Sequence, residues 1–124
     1  MANEVSESEY QSALMRKIGS HPRFRLWRQL NGNFYWRNER TGEYHPVRLG
    51  PPKGAADLTG FVWGTGRRIE LEVKSASGRV SEDQVKWGLG MNAGCVLHRI
   101  AKYDPARSLE YNVDREMAWL EAAS

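Results

Sequence analysis

At 124 residues, with 40% hydrophobic and 27% charged side chains, the chain has room for one domain, 1–124, with a real but modest core. No apolar run approaches the ~20 residues that cross a bilayer, and the start Met-Ala-Asn-Glu-Val-Ser-Glu lacks the basic and apolar regions of a signal peptide, which points to a cytoplasmic protein with no membrane partner. The net charge of +3 hides an uneven distribution: Arg16 to Arg48 holds eight basic residues against Glu39 and Glu43, for +6, leaving −3 elsewhere.

Ser6 to about Gly19 reads as a helix. Ser6 with Glu9, or Ser8 with Gln11, forms a capping box, and Tyr10, Leu14 and Ile18 follow at helical spacing. Arg23 to Leu30 and Phe34 to Asn38 read as strands joined by a turn at Asn31-Gly32-Asn33. Tyr44 to Leu49 is short and extended after a Thr41-Gly42 turn. This basic segment also carries Phe24, Trp27, Phe34, Tyr35, Trp36 and Tyr44. Arginines interleaved with aromatics suit phosphate contact and base stacking, and equally suit a solvated hairpin whose aromatics form core or a subunit contact.

Gly50-Pro51-Pro52-Lys53-Gly54 can be neither helix nor central strand. Ala56 to Trp63 and Arg67 to Lys74 then read as an antiparallel hairpin. With Gly64 and Thr65 as the central turn residues, Asp57 lies opposite Glu72, where side chains stand ~5 Å apart on one face. Alternation puts Ile69, Leu71 and Val73 on one face and Glu70, Glu72 and Lys74 on the other. Two carboxylates and a lysine beside a glycine-rich turn can hold a divalent cation and activate water against a phosphodiester.

Ser81 caps a second helix to about Asn92, with Gln84 as box partner and Val85, Leu89 and Trp87 toward the core. Cys95 to Ala101 reads as a buried strand, with Cys95, the single cysteine, as an inert thiol. A helix between the Glu72 and Cys95 strands makes them a parallel pair joined by a crossover. Asp114 caps a short last helix carrying Met117, Trp119 and Leu120. His21, His45 and His98 share no spacing with Cys95 that would suit zinc.

Asp57, then Glu72-x-Lys74 on a strand, resembles the PD-(D/E)XK nuclease superfamily. The flanking Gly50-Pro-Pro-Lys-Gly-Ala-Ala-Asp57-Leu-Thr-Gly60, Ile69-Glu-Leu-Glu72-Val-Lys74-Ser75 and Ser81-Glu-Asp-Gln84 resemble its VRR-Nuc branch, often small phage proteins. Glu9-x-Gln11 and Arg28-x-x-x-Gly32 share that likeness, which runs from about Glu9 to Leu97. Ala56 stands where the superfamily name has proline, a position that varies in this branch.

The resemblance implies an α/β domain of the restriction-endonuclease-like type, with a central mixed sheet flanked by helices. It implies Asp57, Glu72, the Val73 carbonyl and Glu9 as ligands to Mg²⁺ or Mn²⁺, hard cations that prefer oxygen. Lys74 would orient the attacking water, and Gln84 would position water or the lysine. Arg28, Arg48 and Lys53 are candidates for phosphate contact. Glu9 is also explained as the cap partner of Ser6, with Glu7 as its neighbouring alternative; Gln84 is likewise explained by Ser81. The implied activity is metal-dependent DNA hydrolysis by a homodimer that resolves branched junctions, in the host cytoplasm if phage-encoded. The alternatives are a monomeric flap, end-processing or nicking nuclease, and a catalytically silent DNA-binding protein of the same fold.

Overall fold

The computed structural model describes residues 4–30 and 32–124, leaving aside the side chains of residues 33, 48 and 49. The elements run α1 (Glu7–Gly19), β1 (Phe24–Arg28), β2 (Gly32–Arg37), β3 (Tyr44–Leu49), β4 (Leu58–Val62), β5 (Arg68–Lys74), α2 (Glu82–Ala93), β6 (Leu97–Lys102) and α3 (Leu109–Ala123). Four strands form one sheet in the order β1-β4-β5-β6. The first two pairings are antiparallel, and β5 runs parallel to β6 through the α2 crossover that the sequence predicts. The architecture is α/β, a mixed sheet flanked by helices. No helix among the described residues is long and apolar enough to cross a membrane.

The Ser6 hydroxyl accepts the Glu9 N–H at 3.1 Å and starts α1, which lays Tyr10, Leu14 and Ile18 on the sheet. There they meet Leu58, Val62, Ile69, Leu71 and Val73, with Val113, Met117 and Leu120 of α3 closing the core. Burying each of these large apolar side chains is worth about 1.5–3 kcal/mol. The hairpin register is as expected: Leu58 faces Leu71 and Phe61 faces Arg68, which places Asp57 one step beyond the ladder, level with Glu72. The turn is wider than two residues, since Val62 N–H donates to Arg67 and Gly66 N–H to Val62.

Several expected features differ. β1 does not pair with β2: it pairs with β4, where Phe24 and Leu26 reach the core, and β2 pairs with β3 in a separate ribbon. Gly60 permits the β1–β4 contact, since a Cβ there would stand 1.8 Å from the Arg25 carbonyl oxygen. Asn31 of the expected turn lies outside the described residues, while Gly32 and Asn33 belong to β2. On α2, Val85 and Leu89 face solvent, while Gly88 is buried against His98 and Trp87 is half-buried. The reason is that α2 covers the polar face of the sheet, where the Trp87 indole N–H donates to buried Glu70. Cys95 is exposed, at φ 64° in the reversal before β6, rather than in the strand. Ser108, not Asp114, caps α3, and that helix runs 15 residues.

Candidate active site

Asp57 ends the loop that enters β4, and its backbone is tied to the neighbouring strand. Gln29 N–H donates to the Asp57 carbonyl at 2.8 Å, and the Gln29 side chain donates to the Ala56 carbonyl at 2.8 Å. The Asp57 carboxylate accepts the Val73 N–H at 3.0 Å, so the side chain takes the place that a continued β4 backbone would fill. In an antiparallel pair a residue's N–H and C=O leave by the same edge. The Val73 carbonyl therefore projects toward the Asp57 side.

Glu72 is 2% exposed, although it sits on the face that alternation marks as polar. Its Oε1 accepts the Gln84 Nε2–H at 2.7 Å and lies 3.4 Å from the Lys74 ammonium. Its Oε2 is buried and accepts no hydrogen bond, while the carboxyl lies within hydrogen-bonding reach of Asp57, so the two can share a proton. Burial, and then the Asp57 carboxylate beside it, push the Glu72 carboxyl up to about 8, while Lys74 pulls the other way. A buried carboxylate oxygen without a donor is costly unless a cation or proton satisfies it.

Gln84 performs both roles that its position allows. Its Oε1 accepts the Ser81 N–H at 2.9 Å, which completes the capping box, while its Nε2 reaches Glu72. The first turn of α2 is thereby fixed to the β5 carboxylate. The glycine-rich loop braces that turn from outside. A Cβ at Gly54, whose φ is +94°, would stand 2.4 Å from the Asp83 carbonyl oxygen, and Lys53 pairs with Asp83 at 3.5 Å.

Of the two N-terminal glutamates, Glu7 is the one within reach of the Asp57 and Lys74 charges, and Glu9 is engaged at the Ser6 cap. Glu9 is exposed and its carboxylate accepts the Ser6 hydroxyl at 3.3 Å. Glu7 is half-buried, and burial followed by the Asp57 charge raises its carboxyl, against the opposing pull of Lys74. The helical spacing holds the signal: Glu7 precedes Tyr10 by three residues and Leu14 by seven, on the stripe that faces the sheet. Arg28 is exposed at the end of β1, opposite Leu58 and one residue from the strand tie at Gln29. Lys53 is exposed beside α2. Arg48 lies opposite Asn33 in the ribbon, and its side chain is outside the described residues. Glu70, on the same face as Glu72, is engaged by Arg68 at 2.8 Å and by Trp87.

The donor set suits a hard divalent cation: two carboxylates, one with an orphaned buried oxygen, and a backbone carbonyl on the same side. With only three protein oxygens offered, such an ion would keep several waters, as Mg²⁺ commonly does. A depression of ≈ 510 Å³ between Val5, the Ser75–Ser77 turn, Tyr103 and Arg107 contains none of these ligands. No family model, curated protein or solved structure matches the chain.

Proposed function

We propose that this protein is a metal-dependent DNA endonuclease with a PD-(D/E)XK core of the VRR-Nuc type. The observation that carries the reading is the buried Glu72 carboxylate, flanked by Asp57 and Lys74, whose Oε2 accepts no hydrogen bond. An ion pair made only for stability would satisfy both carboxylate oxygens or leave them in water. This carboxylate is instead oriented by Gln84 through one oxygen, with the other left over.

Asp57, Glu72 and the Val73 carbonyl would hold Mg²⁺ or Mn²⁺, which when bound would supply charge neutralisation at the phosphate and a lowered pKa for water. Lys74, only 12% exposed, places a fixed positive charge at the edge of the carboxylate pair. There it orients the attacking water and stabilises the charge that develops on the phosphate. Gln84 holds Glu72 at the correct angle, and Asp57 is held by the Val73 N–H, so neither ligand reorganises as substrate arrives. Arg28, at the end of β1, and Lys53, beside the first turn of α2, would serve as phosphate contacts. A homodimer would present two such sites to the two strands of a branched junction, since symmetric cuts need symmetric sites.

The test is cleavage of a labelled four-way junction, a flap and a linear duplex with Mg²⁺, Mn²⁺ or EDTA. Paired, metal-dependent cuts in the junction are expected. Asp57→Ala, Glu72→Ala and Lys74→Ala should each reduce cleavage by at least about a hundredfold, the scale of losing one well-placed charge-stabilising group, with DNA binding retained. Full activity in any of the three would remove the constellation from catalysis.

A further inference from the structure

The polar face of the sheet is only half covered. Trp87 and Gly88 of α2 shield it over β5 and β6, at Glu70 and His98. Over β1 and β4 no helix among the described residues lies on it, and the residues there are aromatic. Register places Trp27 opposite Thr59 and Arg25 opposite Phe61, and opposed residues share a face. Trp63 continues the row past the end of β4. The rings form a chain, with Trp27 edge-on to Phe61 at 6.1 Å and Phe61 edge-on to Trp63 at 5.1 Å. Yet Trp27 is 49% exposed and Trp63 51% exposed.

Large aromatics left half in water on a sheet face need an occupant. The only charge on this strip that faces no carboxylate among the described residues is positive: the Arg25 guanidinium lies over the Trp63 ring at 5.2 Å. Arg68, by contrast, is tied to Glu70 and Gln29. Between Trp27, Gln29, Phe61 and Arg68 is a shallow depression of ≈ 430 Å³. The strip also leads into the candidate active site. Thr59 is two residues from Asp57, so Trp27 lies at the end of the strip nearer Asp57 and Trp63 at the far end.

We infer that the Trp27–Phe61–Trp63 strip is a stacking platform for single-stranded nucleic acid, with Arg25 as its phosphate contact. Unpaired bases stack on exposed rings in a sequence-tolerant way, and an uncompensated arginine suits their backbone. A second copy of the chain fits less well, because a two-fold contact across the strip would bring Arg25 toward its own symmetry mate. The inference deepens the proposed function and rests on it for the substrate class. It implies that the site receives a strand already peeled from its complement, at a junction arm or flap.

The test uses the full chain in EDTA, so that nothing is cut. A short fluorescein-labelled oligothymidylate and a blunt duplex are titrated and anisotropy is read. The Trp27→Ala, Trp63→Ala double variant should bind the single strand at least about tenfold more weakly, and the duplex with a smaller change. The double phenylalanine variant should recover most of the affinity, which separates stacking from misfolding. Unchanged single-strand affinity in the alanine variant overturns the inference, as does an equal loss on both DNAs. So does a dimer that the alanine variant splits in sedimentation with binding per protomer unchanged, which assigns the strip to a second copy. Cleavage is read separately with Mg²⁺ and Mn²⁺. Its absence in the wild-type protein, with ring-dependent strand binding intact, overturns the reading of the site and supports the strip.

Discussion

The protonation of Glu72 connects the folded state to metal affinity. Burial and then Asp57 push its carboxyl up to about 8, against the pull of Lys74, whereas in the unfolded chain it would titrate near the ordinary carboxylate value of ~4.3. Between those values the folded state binds more protons than the unfolded one, so this group's contribution to stability is full at acid pH and is lost as pH rises through 8. A divalent cation reverses the balance by favouring the ionised form. Mg²⁺ or Mn²⁺ binding at pH 7 should therefore release close to one proton, with affinity rising about tenfold per pH unit from about 6 to 8. Calorimetry in buffers of different ionisation enthalpy would measure it. Glu72→Gln should abolish the released proton; metal binding without proton release in the wild type would contradict a protonated Glu72 that ionises on binding the metal. Asp57, Glu72 and Lys74 are legible in the sequence because strand alternation and a countable turn fix who faces whom. The choice of Glu7 over Glu9 is not, because the Ser6 cap gives Glu9 a sufficient local role and obscures the longer Glu7–Tyr10–Leu14 stripe.

Among the elements, the sequence pattern holds best where one rule acts alone. The Ser6 cap and the Ser81–Gln84 capping box locate α1 and α2, and the need for a crossover gives the parallel β5–β6 pair. It fails where tertiary context chooses between two local options. Val85 and Leu89 have core-like chemistry but sit on a helix whose docking face must meet Glu70, Glu72 and His98, so Gln84, Trp87 and Gly88 turn inward. Asn31-Gly32-Asn33 has hairpin composition, yet β4 offers β1 a partner with a matching apolar face. The glycine-rich loop gains its meaning at the same level. Gly54 has a positive φ and touches the α2 backbone, so Gly54→Ala strains the loop and pushes against the turn that carries Gln84. The substitution should lower stability by roughly 1–3 kcal/mol, the scale of a strained backbone residue, and lower cleavage further by displacing Gln84 from Glu72. Thermal melts and cleavage rates on the same sample would check both. A stable but inactive variant would place the effect on the loop alone, and a variant indistinguishable from wild type would contradict the packing.

At the scale of the molecule, the chain divides into a packed body and a ribbon outside its core. β2 and β3 pack extensively only with each other, and the side chains of Phe34, Tyr35, Trp36, Arg37 and Tyr44 are all exposed. Cross-strand alternation gives the ribbon one face with Phe34, Trp36, His45 and Val47 and another with Tyr35, Arg37 and Tyr44. A lone two-stranded ribbon is marginal in water, and this one carries aromatics and arginines rather than core. The basic segment seen in the sequence is thus split in space. α1 and β1 contribute to the body, where Arg25 lies on the open strip, while the ribbon carries Arg37 and Arg40. Because the ribbon adds so little to the core, replacing residues 33–48 by a short Gly-Ser turn should leave the melting temperature within a few degrees of wild type, since the ribbon packs mostly on itself. DNA affinity should fall, and the slope of log affinity against log salt should shrink by about 0.9 for each phosphate left without its basic partner. A collapsed melting temperature would mean that the ribbon holds the body together, and an unchanged salt slope would mean that its arginines meet no phosphate. If both stability and salt slope stay at wild-type values while a dimer dissociates in sedimentation, the exposed ring face belongs to a second copy of the chain, and DNA is held by the body alone.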